Sequence, residues 1–404
     1  VVAFFVLYHR EKEGTPMKIY KKNNVFEEAL ERIRFLFDEF EEVWVSFSGG
    51  KDSTVIYNLA KIVAREKGKL PLKVVFLDQE AEYEHTIELV REIMYDEDVE
   101  PYWIQVPIKL FNATSTQDEW LLCWDEDNPD KWIREKDPIS YKENHWGTDR
   151  FADFFLKFMN AESKARDNMK MCYLTGVRTE ESPSRYIGLT TSPTYKWITW
   201  GKKNQYNKNT FSFHPIYDWS YTDVWKAIHD NGWDYNKIYD YQYQHGVRTQ
   251  DMRVSNLHHE TAVHHLFFLQ EVEPDTYQRL TQRVKGMDTA GKLGRDDYFV
   301  TELPFMFKDW KEYRDYLLEK LITNEEHREK MRKDFHRTEK KYIPAVKANS
   351  IYKTHISIIL TNDYHGTKLG NAENRWRLQL RDYERERKRN AMAKRKAKRE
   401  QRQK

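Results

Sequence analysis

The chain has 404 residues, of which 39% are hydrophobic, 33% charged and 15% aromatic, and its net charge is +2. The length predicts two domains or one core with large additions, and the aromatic content excludes wholesale disorder, which is poor in such residues. Cys123 and Cys172 are the only cysteines, which excludes a disulfide framework and an iron–sulfur cluster held by four cysteines of one chain.

No stretch approaches the ~20 apolar residues that cross a bilayer, so no membrane partner is expected. Two isolated thiols point to a reduced, cytoplasmic protein. Residues 1–16 read as an extension without a function of its own; Val1–Tyr8 is apolar but too short and lacks the basic start of a signal peptide.

In chain order, Asn24 is placed to cap a helix over 25–40. Val43–Phe47 has strand composition, a Gly-Gly turn follows, and Asp52–Arg65 reads as a helix. Leu72–Leu77 is a second apolar strand, 84–95 a helix, Tyr102–Val106 a third strand, 149–168 a helix and Met171–Thr175 a fourth strand. Strands alternating with helices predict an α/β fold, a parallel sheet with helices on both faces. Ligands bind such sheets beyond the carboxyl ends of the strands. Ser48–Ser53, Asp78 and Arg178 each follow an apolar strand, so all three are expected to face one crevice. From about Ser220 the pattern becomes helical, with helices expected over 221–231, 233–245, 258–269, 308–320 and 371–404. The expected organisation is an extension over 1–16, a nucleotide-binding domain over 17–230, a helical region over 231–370 and a basic helical tail over 371–404.

The chemistry concentrates in Ser46-Phe-Ser-Gly-Gly-Lys-Asp-Ser-Thr54. Gly49 and Gly50 allow a tight turn and close approach of backbone to an anion. The following helix start offers free N–H groups and the positive end of its dipole. Ser48 and Ser53 add hydroxyls and Lys51 a mobile charge, together a nest for phosphate or sulfate. The spacing is not that of a Walker A loop, since Asp52 stands where that motif has Ser or Thr.

This string resembles the signature of the PP-loop superfamily, which includes PAPS reductases, the ATP-binding subunit of sulfate adenylyltransferase and ATP pyrophosphatases. Leu174-Thr-Gly-Val-Arg-Thr-Glu-Glu-Ser-Pro-Ser-Arg185 and Phe213-His-Pro-Ile-Tyr-Asp-Trp-Ser-Tyr-Thr-Asp-Val-Trp225 are similar to two further segments of PAPS reductases. The resemblance implies a Rossmann-like PP-loop domain that binds an adenine nucleotide (ATP, APS or PAPS) and acts at its α-phosphate or sulfate. It implies nucleotide contacts at Ser46, Ser48, Gly49, Gly50, Lys51, Asp52, Ser53, Asp78, Gly176, Arg178, Ser182 and Arg185. Lys51, Asp52, Arg178 and Arg185 are the catalytic candidates, and Asp78 is expected near ribose or adenine. Mg²⁺ would ride on the nucleotide's phosphates, with few protein ligands. Gly232–Tyr239 and Gly246–Val254 resemble a narrower group of PAPS-reductase-like proteins, the immunoglobulin-binding regulators, which are often paired with a ParB/sulfiredoxin-like protein.

One departure from the family matters. Thiol-dependent PAPS reductases carry a C-terminal Glu-Cys-Gly-x-His motif, and no cysteine follows Cys172 here. A sulfur-attacking thiol must be accessible and ionised. Cys172 lies in an apolar strand and Cys123 among aromatics and acids, so thioredoxin-linked reduction is not expected. His258, His259, His264 and His265 read as packing or surface residues rather than metal ligands, having neither cysteines nor an HExxH motif nearby. Residues 381–404 carry a net charge of +8, leaving −6 for the rest. Lys388, Arg389, Lys394, Arg395, Lys396, Lys398 and Arg399 there form a solvated helix end, a contact for DNA or RNA, or an arm for a protein partner. Three functions stay open: an enzyme acting on the nucleotide, its subtype that modifies nucleic acid with sulfur, and a nucleotide-sensing regulator.

Overall fold

A computed structural model describes residues 22–111, 120–254, 256–257, 266–284, 302–360, 363–364 and 366–402, without the side chains of 111, 266, 267, 367 and 393–402. The extension over 1–16, the four histidines of 258–265 and the side chains of Lys394, Arg395, Lys396, Lys398 and Arg399 lie outside the described residues.

The first helix, α1 (Val25–Glu39), begins at the expected cap: the Asn24 side chain accepts from the Glu27 N–H, and Glu27 reaches back to the Asn24 N–H. Then come β1 (Glu42–Ser46), α2 (Lys51–Glu66), β2 (Leu72–Leu77), α3 (Glu84–Met94), β3 (Val99–Ile104), β4 (Ile108–Phe111), β5 (Trp120–Cys123), α4 (Phe151–Ala165), β6 (Met171–Leu174), α5 (Pro183–Thr190), β7 (Gly201–Lys203), β8 (Thr210–Phe213), α6 (Tyr221–Asn231) and α7 (Ile238–Gln244). After α7 the described chain is helical: α8 (Leu266–Val272), α9 (Pro274–Arg283), α10 (Trp310–Leu321), α11 (Glu325–Tyr342), α12 (Ala348–Leu360) and α13 (Thr367–Arg402).

The six-stranded sheet has the order β3-β2-β1-β6-β8-β7. All neighbours run parallel except β7, which returns antiparallel to β8. Alternation along the strands builds two layers. Val43 and Val45 face one way and pack with residues of α1, α2, α3 and α6, whereas Trp44 faces the other and packs with Phe154, Phe158 and Met159 of α4. The expected α/β fold with helices on both faces is therefore the observed one. The chain leaves β1 toward β2 on one side and later reaches β6 on the other, so a topological switch point lies between β1 and β6.

Three elements differ from the expectation. Glu100 and Pro101 of β3 pair with Lys73 and Val74 of β2, so that strand starts at Val99 rather than at Tyr102. The hairpin of β4 and β5 was not anticipated. The helix expected over 233–245 is only Ile238–Gln244, because Asn236 is spent as a turn residue: its Oδ1 accepts from the Ile238 N–H at 3.0 Å. The last helices form a core of their own around Trp310, Phe335, Tyr342, Ile351 and Trp376. Ile238, Leu257, Phe268, Leu269 and Leu280 instead join the second layer of the sheet, so the described residues between 238 and 284 pack with the nucleotide-binding domain.

Candidate functional site

The β1–α2 turn is a tight one. Gly49 has φ +70°, and a Cβ there would lie 2.5 Å from Thr86 Cγ2, so only glycine fits. The Gly50 carbonyl accepts from the Thr54 N–H at 2.9 Å, the Ser53 hydroxyl at 2.8 Å and the Thr54 hydroxyl at 3.0 Å. Ser48 and Ser53 close the loop, their hydroxyls 3.0 Å apart. Gly176 after β6 is required by closeness: a Cβ would lie 2.6 Å from the backbone carbon of Asp52. The two strand ends thus meet at the switch point.

Between them opens a cleft of about 740 Å³ lined by Ser46, Ser48, Gly50, Lys51, Asp52, Ser53, Gly176, Arg178, Ser182 and Arg185 among others. Ten of the twelve expected contacts therefore share one cavity. Gly49 shapes the turn from beneath. Asp52 accepts from Arg178 Nε at 2.6 Å and lies 3.1 Å from Lys51 Nζ. Arg178 also donates to Glu180 at 3.0 Å, and Arg185 pairs with Glu181. The Ser182 hydroxyl caps α5, accepting from the Arg185 N–H at 3.2 Å. Lys51 is buried, and burial, reinforced by the charges of Arg178 and Arg253, holds its pKa below the usual lysine value against the pull of Asp52. Burial likewise lowers Arg185, with Arg253 and Arg178 adding to it. At the floor, the Thr175 hydroxyl meets His214 Nδ1 at 2.6 Å. Burial, with Lys202 and Arg185 beyond it, pushes His214 down to about 3, so this ring is neutral.

This geometry agrees with what the sequence matches. Residues 42–245 match the phosphoadenosine phosphosulfate reductase domain. The chain belongs to that family. Residues 246–383 match a domain of unknown function (DUF3440). The uncharacterized protein YbdN of Escherichia coli K12 is 29% identical over 382 residues, covering 86% of this chain and 91% of that protein. Two solved structures are similar at low identity. The PAPS reductase of Candida auris in a phosphate complex is 15% identical, covering 57% of this chain and 89% of that one, with TM-score 0.33. The FMN adenylyltransferase of Candida glabrata is 13% identical, covering 59% and 65%, with TM-score 0.35.

Asp78 does not open onto the cleft of this PAPS reductase domain. It is 1% exposed, and its carboxylate is saturated by Trp103 Nε1 at 2.9 Å, Gln105 Nε2 at 2.8 Å, the Glu80 N–H at 2.9 Å and the guanidinium of Arg134. Glu80, wholly buried beside it, binds Arg283 at 2.9 Å and the Trp124 N–H at 2.7 Å. Glu82 completes this cluster; burial and then Asp78 raise it to about 8, so it is protonated at neutral pH. The crevice expected to join Asp78 to the loop is therefore closed on that side by the protein's own groups.

Three contributors to the cleft carried no expected role. Asn236, fully buried, donates to the Gly49 carbonyl at 3.1 Å and to Thr86 Oγ1 at 2.8 Å. The Tyr239 hydroxyl accepts from the Lys51 N–H at 3.1 Å. Arg253 lines the same cavity. All three belong to the segments that resemble the narrower group, Gly232–Tyr239 and Gly246–Val254.

Both thiols are closed off. Cys123 and Cys172 are fully buried, and burial raises each well above the ordinary thiol value.

Proposed function

We propose that the cleft binds an adenine nucleotide with its terminal anionic group in the loop Ser48–Ser53, and that chemistry takes place at the α-phosphate or at the sulfate. The observation that carries this reading is the meeting of the glycine turn, Lys51, Arg178 and Arg185 in one cavity at the switch point of a parallel sheet. An anion held at the loop leaves its next group beside two arginines. Guanidinium forks suit phosphate and sulfate oxygens and stabilise charge that develops there. With ATP, an acceptor attacks the α-phosphorus, the bond to the bridging oxygen breaks, and pyrophosphate leaves in the loop. With APS or PAPS the group attacked is the terminal sulfate itself: an acceptor from outside, since neither thiol is accessible, attacks the sulfur, the bond to the bridging oxygen breaks, and the nucleotide leaves with its 5′-phosphate. Mg²⁺ would be carried in on the phosphates. Chromatography of reactions with each nucleotide, with and without a candidate partner, tests the reading. AMP with pyrophosphate, or an adenylylated acceptor, is expected from ATP; brisk release of ADP would sink it.

A second reading, a nucleotide-sensing regulator that engages DNA, RNA or a ParB/sulfiredoxin-like protein, is favoured by α13. This helix runs Thr367–Arg402, and residues 381–392, including Lys388 and Arg389, are exposed throughout. Sulfur modification of nucleic acid would use the same arm to hold a polymer. Binding of nucleic acid that falls steeply with salt and is lost on deleting residues 388–404 supports it. Equal retention of full-length and truncated protein at low salt removes it.

A further inference from the structure

The second family region starts at residue 246, yet its first residues are built into the cleft of the first. Gln242, fully buried, holds the peptide of Arg253 from both sides: its Nε2 donates to the Arg253 carbonyl at 2.7 Å and its Oε1 accepts the Arg253 N–H at 3.1 Å. One residue earlier, the Met252 carbonyl accepts from Lys51 Nζ at 3.4 Å. One residue later, the Val254 backbone meets the Tyr239 hydroxyl, the same group that receives the Lys51 N–H. Three successive residues are thus held, Met252 by Lys51 of the loop and Arg253 and Val254 by Gln242 and Tyr239 of α7, and the Arg253 side chain is left exposed on the wall of the cavity.

Its charge is the unmatched one. Lys51, Arg178 and Arg185 stand against Asp52, Glu180 and Glu181 in direct pairs. Asp251, which also lines the cavity, is taken by Arg248 at 2.6 Å. The Arg253 guanidinium has no ion pair among the described residues, and its field falls on both Lys51 and Arg185. An unpaired cation whose backbone is held beside two others is repelled until an anion arrives, and the relief grows with the charge of that anion.

We propose that Arg253 is a specificity-determining residue that contacts the terminal anionic group of the nucleotide and selects a multiply charged end, the pyrophosphate of ATP, over the singly charged sulfate of APS. This rests on the nucleotide reading given above. The test is calorimetric titration of the full chain and of Arg253→Gln, Arg253→Lys and Lys51→Ala with ATP, APS, PAPS and AMP. Thermal melts check each variant's fold; the clamp of Gln242 acts on backbone, so substitution at Arg253 leaves it in place. Expected are a preference of the wild type for ATP over APS, and a loss of about tenfold for ATP in Arg253→Gln. APS and AMP should change little, Arg253→Lys should recover part of the ATP affinity, and Lys51→Ala should weaken all anionic tails alike. Equal loss for ATP and APS, no loss at all, or a wild-type preference for APS overturns the proposal. So does a loss confined to PAPS, which would assign Arg253 to the 3′-phosphate. Wild-type protein that binds none of the four overturns the nucleotide reading itself and this proposal with it.

Discussion

Two clusters of charged residues lie at the carboxyl ends of the same sheet, and they have opposite characters. At the end of β2, Asp78 and Glu80 are wrapped by Arg134, Arg283, Gln105 and two tryptophans, which satisfy both carboxylates. Between β1 and β6, Lys51, Arg178, Arg185 and Arg253 line an open cavity with acids that match only three of them. A position after a strand does not by itself make a binding residue. What separates the two is whether the rest of the chain brings partners that saturate the group. A buried charge that loses its partner is expensive, so the closed cluster is bound to stability and the open one to a ligand.

The largest effect is expected where the closed cluster is broken. Arg134 spans the Asp78 carboxylate and the Glu80 carbonyl, with its guanidinium over the Trp124 ring at 5.2 Å. Arg134→Met leaves Asp78 buried without its cation, and urea unfolding should show a loss of about 3–5 kcal/mol. Nucleotide affinity of the remaining folded protein should be unchanged. Adding Asp78→Asn should recover part of the stability. If Arg134→Met instead abolishes nucleotide binding in a stable protein, the two clusters are one site and the comparison fails.

Lys51→Ala is the reciprocal experiment. Lys51 is held by Asp52, the Met252 carbonyl and the Tyr239 ring at 5.5 Å. Its removal should weaken nucleotide binding by about a hundredfold, or about 2.7 kcal/mol, with little change in the urea midpoint. Unchanged calorimetric affinity for ATP, APS and PAPS would count strongly against the loop. A large fall in stability with affinity retained would make Lys51 a structural residue like Arg134.

The open loop was legible in the sequence because its signal is local. Gly49 and Gly50 sit between an apolar strand and a helix, with Ser48 directly before them and Lys51, Asp52 and Ser53 directly after. Arg178 and Arg185 were legible as strand-following arginines in a matching segment. The fate of Asp78 was not, because Arg134 lies 56 residues away in irregular chain, and no periodicity marks it as a partner. Asn236 and Tyr239 escaped for a similar reason. They support the loop through a single amide and a single hydroxyl, on a short turn and a seven-residue helix, and neither residue type announces such a role. Arg253 is one arginine among many in the sequence; what singles it out is the hold of Gln242 on its backbone.

Acid sensitivity divides the molecule in a further way. His214 under the open cleft is held near 3 by burial, Lys202 and Arg185. His355 in the C-terminal core is held near 2 by burial and by Arg314, which donates to its Nδ1 at 3.0 Å while Thr338 meets Nε2 at 2.9 Å. Folded protein keeps both rings neutral, whereas the unfolded chain takes up protons near 6.5. Their contribution is therefore complete above about 6.5 and drains as pH falls toward 3 and 2, about 2 kcal/mol for each ring at pH 5. Glu82 runs the other way, since the folded state keeps its proton up to about 8 and stability from this group falls as pH rises from the ordinary carboxyl value. The contributions are separated by variants. His355→Gln should flatten the acid limb of the unfolding free energy by about 2 kcal/mol between pH 8 and pH 5, and Glu82→Gln should flatten the limb between about 4.5 and 8. An unchanged acid limb in His355→Gln would mean the ring is not buried as described.

The smallest effect on activity is expected from the cysteines. Cys123 belongs to the closed side: its thiol donates to the Gln79 carbonyl at 3.1 Å, with Glu80 and Asp78 nearby to oppose ionisation. Cys172 pairs across β1–β6 with Val43 and has only apolar surroundings to raise it. A thiol that attacks sulfur must first be a thiolate in reach of the substrate, and neither can become one without the sheet opening. Charged disulfide reagents should therefore modify the native protein only as fast as it unfolds, and nucleotide should slow that modification by stabilising the folded state. Cys123→Ala combined with Cys172→Ala should cost stability, since each leaves a small cavity, yet any nucleotide-dependent product should form at about the wild-type rate. Fast modification of one thiol in the native state would show that the closed side opens in solution. Turnover lost in a well-folded double variant would return the chemistry to sulfur and make the family's thiol mechanism the one this chain retains.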